Sequence, residues 1–346
     1  MDSGRLKVGI AGYGVVGKRR RTFIDQNPHL VTVAVSDITF NGDGVAEDGV
    51  HYFSDFKSLY SQGLDVLFVS LPNHLAAEAT AAGIENGLHV FCEKPPGRNV
   101  EDIRQVIECE KKHPQIKLKY GFNHRYHNSV IEAKRIIDSG EFGKVINIRG
   151  IYGKSSVIPF SGGWRSERQY AGGGILLDQG IHMLDMILFF AGDFDEVKSF
   201  VSNDYWNHDV EDNAYAIMRN QSGCVAMIHS TATQWQHRFR LEVTLEEALL
   251  ELSGILSGSK SYGEEKLRCV PRHDGSIVGS FTETTTSYLE DNSWRDEVNE
   301  FADAVVNDKP IENGTSTDAL KVMELVYNIY GADSKWQQQF NISKPE

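Results

Sequence analysis

The chain has 346 residues, which is too long for one typical hydrophobic core and suits two domains. Hydrophobic residues make up 40% of the chain and charged residues 24%, an ordinary globular composition that excludes a disordered, collagen-like or membrane-embedded protein. The formal net charge of −13 argues against nucleic acid as the main partner, because a phosphate backbone binds a basic face.

The sequence predicts no membrane span, zinc motif or redox motif. The longest apolar stretch inside a helical pattern, Met186–Ala191, is far shorter than a bilayer requires. The first residues run directly into a short apolar strand without the layout of a signal peptide, which predicts a cytoplasmic location. The four cysteines show no C-x-x-C spacing, so we expect buried free thiols.

Short β-rich runs alternate with helical patterns over the first 122 residues. The predicted strands are Leu6–Ile10, Leu30–Ser36, Val66–Ser70, His89–Cys92 and Lys117–Phe122. The predicted helices are Val16–Gln26, Leu75–Asn86 and Val100–Lys112. This alternation predicts a doubly wound parallel sheet covered by helices on both faces.

The first predicted strand is followed by a glycine-rich turn, Gly12-Tyr13-Gly14-Val15-Val16-Gly17, which matches G-x-G-x-x-G. Gly12 permits the tight turn, Gly14 lets a pyrophosphate approach the backbone, and Gly17 lets the helix pack on the strand. The helix N-terminus then faces the anion. Because the motif follows a predicted strand and opens a predicted helix, it predicts a dinucleotide-binding site.

Asp37 lies 20 residues after Gly17, at the end of the second predicted strand. A carboxylate here accepts hydrogen bonds from the adenosine ribose and repels a 2′-phosphate, so NAD is favoured over NADP. The alternative is that Asp37 only starts a surface turn. The basic run Lys18–Arg21 either helps to hold the pyrophosphate or forms a solvated first turn of the helix.

Polar residues follow two more parallel strands, at the edge where ligands of doubly wound sheets gather. After the third strand comes Leu71-Pro72-Asn73-His74, in which Asn73 or His74 is a candidate to line the nicotinamide side. After the fourth comes Glu93-Lys94-Pro95-Pro96, in which the lysine ammonium can donate to a substrate oxygen and proline fixes the neighbouring backbone. An ordinary polar turn is the alternative for this second segment.

After about Tyr126 the pattern changes to longer β-like runs with short turns, which predicts an α+β domain with a large, mostly antiparallel open sheet. The predicted strands are Val145–Tyr152, Val197–Ser202, Ala214–Arg219, Val225–Ala232, Arg238–Leu245 and Leu249–Leu252. The predicted helices are Ser129–Ser139, Ile175–Phe190, Trp294–Val306 and Ser316–Trp336. We therefore place a dinucleotide-binding domain at residues 1–124 and a second domain at 125–346.

The predicted helix after Gly172-Gly173-Gly174 carries Asp178, His182 and Asp185 among mostly apolar residues. Asp178 and His182 are four residues apart and share a helix face, and Asp185 continues that stripe. Carboxylates and an imidazole on a buried helix are costly unless they are paired or used. A satisfied structural network and a reactive group both explain them.

These residues suit the oxidation of an alcohol, which needs a base for the hydroxyl proton while hydride leaves carbon. Histidine has an ordinary pKa of about 6.5, so His182 is the candidate acid/base. Lys94 close by would disfavour the imidazolium and stabilise a developing alkoxide, and Asp178 would orient the substrate or the imidazole. No metal is needed; His124 and His127 are expected to be substrate-side polar residues or surface residues.

In this order and spacing, the motifs resemble the Gfo/Idh/MocA family of glucose–fructose oxidoreductases and inositol dehydrogenases, over nearly the whole chain. The segments that carry the resemblance are Gly12–Gly17, Pro72-Asn73, Glu93-Lys94-Pro95, Gly121–Tyr126, Trp164-Arg165 and Gly172–Asp185. Relatives often carry a second histidine where this chain has Ala76, which puts in doubt any role of the Pro72 loop beyond contacting the cofactor.

The resemblance implies a Rossmann domain followed by a domain whose open sheet pairs subunits into homodimers or homotetramers. It implies that Lys94, Asp178 and His182 form the catalytic group. The remaining residues expected at the substrate are Asn123, Arg125, Trp164 and Arg165.

A finer likeness concerns Leu177–Gly180, Val210–Asn213 and Thr233–Trp235, which look like members found with bacterial surface-polysaccharide biosynthesis. It implies a sugar or nucleotide-linked sugar as substrate. Arg125, Arg165 and Arg168 would suit a phosphate or carboxylate on that substrate, or would form salt bridges.

Two functions of other classes remain open beside the dehydrogenase. One is a glycosidase that uses bound NAD for transient oxidation and releases an aglycone without net NADH. The other is a non-catalytic ligand sensor, against which the presence of Lys94, Asp178 and His182 argues, since a sensor needs no proton acceptor.

Overall fold

The computed structural model describes residues 4–154, 163–257, 261–272 and 283–342. The chain divides into two compact units. The first contains the residues up to Asn123 together with Gln169–Gly172 and Trp294–Leu320. The second contains His124–Arg168, Gly173–Ser293 and the chain from Lys321 onward.

The described residues form strands β1 to β15 and helices α1 to α9. The strands are Leu6–Ala11, Leu30–Ser36, Gly44–Val45, His51–Phe53, Val66–Val69, His89–Glu93, Leu118–Gly121, Val145–Gly153, Glu196–Ser202, Asn213–Arg219, Val225–Thr231, Arg238–Leu245, Ala248–Ser253, Glu265–Pro271 and Thr284–Tyr288. The helices are Val15–Gln26, Asn73–Glu85, Val100–Lys112, Asn128–Ser139, Arg168–Ala171, Ile181–Ala191, Ser293–Val306, Ser316–Ala332 and Ser334–Phe340.

The first unit is built on a seven-stranded sheet with the order β3-β4-β2-β1-β5-β6-β7. Every pairing is parallel except that of β3 with β4. The four residues of β5 are all buried, as expected for a strand with helices on both faces. The predicted doubly wound sheet is therefore confirmed.

The second unit contains an eight-stranded sheet with the order β15-β14-β13-β12-β8-β11-β10-β9. Its pairings are antiparallel except that of β8 with β11. Buried and exposed residues alternate along β10, so one face of the sheet is covered and the other is open. The predicted open, mostly antiparallel sheet is also confirmed.

Helix α6 packs closely on the covered face of this second sheet. A Cβ atom at Gly150, on β8, would lie 2.7 Å from the Met183 sulfur on α6, so a larger residue there would displace the Met183 side chain. One turn earlier, a Cβ atom at Gly180 would lie 2.7 Å from the Ser230 hydroxyl on β11. These contacts fix α6 and the turn before it against the sheet.

The helical segment Arg168–Ala191 is long and apolar enough to cross a membrane by length and composition alone, with a mean hydropathy of 1.4. However, 72% of its most apolar 18-residue stretch is buried within the structure, as in the core helix of a folded domain. The run Met186–Ala191 is only the end of this segment, so the predicted absence of any segment of such length was wrong.

The structure differs from the predicted elements at several places. Strands β3, β4, β14 and β15 were not predicted, because the first two are only two and three residues long and the last two are rich in polar residues. The predicted helix Ile175–Phe190 begins with a π-helical turn, Leu176–Gly180. The predicted helix Ser316–Trp336 is broken at Asp333, whose side chain caps the start of α9.

Helix α7 contributes Phe301 to the core of the first unit, where its ring lies 5.8 Å from Phe68.

Candidate active site

The glycine-rich turn after β1 has backbone geometry that requires glycine at two positions. Gly12 has φ of +90°, and a Cβ atom there would overlap the carbonyl oxygen of Ser70. A Cβ atom at Gly17 would overlap the carbonyl oxygen of Gly12 and would lie 3.3 Å from the Ile10 side chain on β1, so glycine lets α1 pack closely on the turn and the strand. Both positions therefore have the structural role that the motif predicts.

The same turn leaves an open approach to the N-terminus of α1. A Cβ atom at Gly14 would meet nothing within 4 Å, and Val15 is 82% exposed. Gly14 is the N-cap residue and has no side chain that could accept hydrogen bonds from the N–H groups of the first turn. An uncapped, accessible helix N-terminus suits an anion such as pyrophosphate.

Asp37 begins the turn after β2 and uses one of its carboxylate oxygens in doing so. Its Oδ1 accepts hydrogen bonds from the backbone nitrogen of Thr39 at 3.0 Å and from the Thr39 hydroxyl at 2.7 Å. Within the described residues, Oδ2 of Asp37 accepts no hydrogen bond. The structural role and the predicted ribose contact are thus compatible.

A solvated first turn of the helix would expose Arg20, but in the structure Arg20 lies inside the first unit. Its side chain is fully buried, and its guanidinium donates to Glu93 at 2.5 Å and to Glu297 at 2.6 Å. The rings of Phe91 and Trp294 lie 4.4 and 4.3 Å from the guanidinium carbon. The solvated interpretation of the basic run is therefore wrong for Arg20, which anchors the end of β6.

The two strand-end segments have distinct surroundings. Asn73 is buried and its amide nitrogen donates to the carbonyl oxygen of Ala171 at 2.7 Å, so it ties two parts of the first unit together. The His74 ring lies 4.9 Å from Tyr170, and burial, together with the charge of Arg98, lowers its pKa. Lys94 follows the anchored Glu93 directly, and its peptide bond to Pro95 is cis.

Glu211 holds the Gly172–Gly174 turn, which precedes the segment of Asp178 and His182. It was not predicted as a site residue. Its fully buried carboxylate accepts hydrogen bonds from the backbone nitrogens of Gly174 and Leu176 at 2.7 and 2.9 Å, and from the Tyr330 hydroxyl at 2.7 Å. Burial raises the pKa of this carboxyl group.

Asp178 lies in the π-helical turn and is partly exposed. Its backbone nitrogen donates to Gly174 at 2.8 Å, and its side chain is 23% exposed. The Nζ atom of Lys154 lies 3.7 Å from one carboxylate oxygen and Nε of Arg165 lies 3.9 Å from the other. Lys154 was not among the predicted site residues.

His182 is buried on α6 and stacks face to face on His124. The two ring centroids are 3.7 Å apart and the rings are inclined by 15°. Nε2 of His124 lies 3.0 Å from the Tyr152 hydroxyl. His127 is 2% exposed and hydrogen-bonds to Glu265 at 2.8 Å, and His124 is also buried, so the surface alternative for these two residues was wrong and the substrate-side alternative stays a prediction.

The predicted stripe of Asp178, His182 and Asp185 does not behave as one set. Because residues 176–180 form a π-helical turn, the spacing of an ordinary α-helix does not apply across it. Asp185 is fully buried and accepts bidentate hydrogen bonds from Arg125, with donor–acceptor distances of 2.9 and 2.6 Å. This pair is the structural network that one of the two sequence interpretations predicts.

The other predicted substrate residues differ in exposure. Asn123 is buried and Trp164 is half-buried, whereas Arg165 is 55% exposed. Arg168 donates to the carbonyl oxygen of Asp209 at 2.9 Å and lies 4.1 Å from the Phe340 ring, which engages it structurally. Within the residues that the structure describes, no group of three metal-binding side chains is found.

Two family models match the chain. A model described as an oxidoreductase family with an NAD-binding Rossmann fold matches residues 6–122. A model of the GFO/IDH/MocA C-terminal domain matches residues 130–251. Together the two models span most of the chain.

Curated relatives include two dehydrogenases. Levoglucosan dehydrogenase from Pseudarthrobacter phenanthrenivorans is 29% identical over 220 residues, which cover 57% of this chain and 54% of that enzyme. Inositol 2-dehydrogenase from Salmonella typhimurium is 26% identical over 263 residues, which cover 73% of this chain and 76% of that enzyme. The chain thus matches only about half the length of the first of these two.

A solved structure of levoglucosan dehydrogenase in complex with NADH superimposes on this chain with a TM-score of 0.83. The superposition covers 96% of this chain and 98% of that chain at 21% sequence identity, so it shows a shared fold.

Proposed function

The chain belongs to the GFO/IDH/MocA family of NAD-binding oxidoreductases, and from this premise we propose that it transfers a hydride between nicotinamide and a secondary alcohol or ketone of a sugar. The observation that carries the proposal is that one helical segment, which follows Gly172–Gly174, presents both a buried histidine, His182, whose ring is stacked on another ring, and a partly exposed carboxylate, Asp178. The relatives named for levoglucosan and inositol support a polyhydroxylated substrate.

In the proposed reaction, His182 accepts the hydroxyl proton during oxidation and returns it during reduction. Its stacking on His124 restricts the ring plane, so the imidazole is oriented before substrate binds. Asp178 binds a substrate hydroxyl, and the ammonium of Lys94 donates to the reacting oxygen and stabilises its negative charge. When bound, the nicotinamide supplies the hydride acceptor or donor.

The proposed cofactor site is the glycine-rich turn, and NAD is the proposed cofactor. The uncapped N-terminus of α1 and the open approach at Gly14 suit a pyrophosphate. Asp37 suits NAD rather than NADP, because its carboxylate would face the 2′-position of the ribose and repel a phosphate there.

The preference for NAD is tested by fluorescence titration of NADH and NADPH. We expect tight NADH binding and weak NADPH binding by the wild type, and a preference reduced by about tenfold or more in Asp37→Ala, the loss expected for a charge-assisted hydrogen bond. Glu47→Ala, which removes an exposed carboxylate from the following segment, serves as the control and keeps the preference. A preference of the wild type for NADPH would overturn the role of Asp37, and failure to bind either would overturn the dehydrogenase.

The role of His182 is tested by steady-state kinetics on a panel of sugars and polyols. In His182→Asn we expect kcat to fall by about 10²- to 10⁴-fold, because the proton acceptor is lost. The affinity for NADH, measured separately, should stay unchanged, and the exposed His51→Asn variant should keep full activity. Release of an aglycone from a glycoside without net NADH would instead identify a glycosidase.

We also propose that the open face of the second sheet joins two copies of the chain. Five large apolar residues project from neighbouring strands of this face and are 38–77% exposed; they are Phe200, Tyr215, Ile217, Val225 and Met227. Contiguous apolar patches of this kind are rare on monomers and typical of interfaces.

A further inference from the structure

Two cations and one carboxylate lie together beside the proposed acid/base segment of the second unit. Lys154 follows the end of β8, Arg165 lies on the short turn Trp164–Ser166, and Asp178 lies on the π-helical turn. The cations approach different oxygens of the carboxylate, at 3.7 and 3.9 Å. This cation cluster has one more positive than negative charge.

The distances show that neither cation is fully used by Asp178. Charge-assisted N–H···O bonds are about 2.7–2.9 Å long, and both contacts are well beyond that. In the described part of the chain, neither the Lys154 ammonium nor the Arg165 guanidinium donates a hydrogen bond to another residue. Their side chains are 16% and 55% exposed, so a small solute can reach both.

The other arginines that the sequence suggested for an anion are engaged elsewhere. Arg125 forms a bidentate pair with Asp185, and Arg168 bonds Asp209 and packs on aromatic rings. The positive charge of Lys154 also reaches a neighbouring side chain: burial, and then Lys154, lowers the pKa of His237. The local field therefore favours an added negative group.

We propose that the substrate carries an anionic substituent, a sugar carboxylate or a phosphate, which Lys154 and Arg165 bind while Asp178 accepts a hydrogen bond from a neighbouring hydroxyl. This inference rests on the proposed sugar oxidoreductase function. It adds Lys154 to the substrate-binding residues, and it assigns the guanidinium of Arg165 to recognition of charge rather than to a structural salt bridge.

The first experiment compares four ligands by isothermal titration to the NADH-bound protein: D-glucose, D-glucuronate, D-glucose 1-phosphate and UDP-glucose. We expect at least one anionic ligand to bind ten or more times more tightly than D-glucose, and this advantage to shrink as salt is raised. Selectivity for glucuronate identifies a carboxylate and selectivity for the other two identifies a phosphate. Equal binding of all four ligands, or binding of none, overturns the proposal.

The second experiment uses Lys154→Met and Arg165→Met, which keep side-chain length and remove charge. Each variant should weaken the preferred anionic ligand by about 10- to 100-fold, the loss expected for a hydrogen bond to a charged group, and D-glucose by less than about twofold. Lys144→Met, an exposed lysine of the same unit, is the matched control and should change neither. Equal weakening of charged and neutral ligands would mean that the cations only neutralise Asp178.

A charge-reversed variant and the kinetics separate this proposal from the oxidoreductase itself. Lys154→Glu should lose the anionic ligand and gain affinity for the cationic D-glucosamine, which a misfolded variant would not do. If anionic ligands bind selectively but none is oxidised with NAD, the hydride-transfer function fails while the anion site stands. If D-glucose is oxidised as efficiently as the anionic sugars, the anion site fails while the hydride-transfer function stands.

Discussion

At the residue scale, the buried carboxylate of Glu211 holds the backbone of the segment that carries Asp178. Two backbone N–H groups and the Tyr330 hydroxyl donate to its carboxylate, and a Cβ atom at Gly174 would overlap its carbonyl oxygen. Glu211 therefore acts on the proposed reaction through the backbone, as a positioning residue. Its carboxylate also sits where the N-terminal turn of a helix favours negative charge.

We expect Glu211→Ala to destabilise the protein by about 3 kcal/mol or more, since it leaves buried N–H groups without an acceptor. Urea unfolding of the second unit, followed by its tryptophans, measures this change. In Glu211→Gln, which keeps the side-chain size, kcat should fall more than KM rises, while NADH affinity stays as in the wild type. Unchanged kcat in a folded Glu211→Gln variant would remove the positioning role.

Sequence patterns reveal residues whose chemistry is unusual for their local surroundings, and that is how far they predict this site. Asp178 and His182 are conspicuous because they interrupt an apolar helix. Their partners Lys154 and His124 lie in distant segments and are ordinary in their own, so only the fold brings them together. Asp185 has the same local signal as His182 but is paired with Arg125, and no local pattern distinguishes the two cases.

At the scale of elements, α7 and the end of β6 are joined by a buried charge cluster. Arg20 bonds both Glu93 on β6 and Glu297 on α7, so one guanidinium serves two carboxylates. Burial raises the pKa of Glu297 to about 7. At this site the folded protein thus binds a proton more tightly than the unfolded chain does.

The stability contributed by Glu297 should consequently depend on pH. Because its folded pKa exceeds the ordinary value of 4.5, the contribution is fully present below pH 4.5 and is lost as pH rises through about 7. The free energy of unfolding of the wild type should fall relative to Glu297→Gln by up to about 1.4 kcal/mol per pH unit in this window. Urea titrations of both proteins between pH 4.5 and 8 measure the difference; parallel curves would contradict the assignment.

The elements themselves were predicted well where periodicity is strong. Strands β2 and β12 and helix α3 have the predicted bounds, and the other predicted strands differ from the observed ones by one residue at one or both ends. The π-helical turn at Leu176–Gly180 could not be predicted, because the side-chain pattern of Ile175–Phe190 is that of a continuous buried helix. Glu211, just before β10, and Ser230, on β11, contact the backbone around Ile175 and are distant from this turn in the sequence.

At the scale of the whole molecule, the open sheet face predicts the assembly state. Ile217→Asp places a charge in the centre of the apolar patch, and we expect it to convert a dimer or larger oligomer into monomers, because a buried unpaired charge is costly. Light scattering coupled to size-exclusion chromatography measures the mass. Ile131→Asp, at an exposed isoleucine of α4, is the control and should leave the mass unchanged. A monomeric wild type would contradict the proposed pairing.

The order of the chain imposes a constraint on how the first unit is made. The last strand of its sheet ends at Gly121. However, Arg20 bonds Glu297, and the Phe68–Phe91 stack packs on Phe301. In the sequence, Glu297 and Phe301 come only after all the strands of the second sheet. On the ribosome, most of the second unit emerges while the nucleotide-binding sheet still lacks α7. A fragment cut after residue 123 would expose this part of its core, so a minimal cofactor-binding protein made from this chain has to carry residues 294–320 as well.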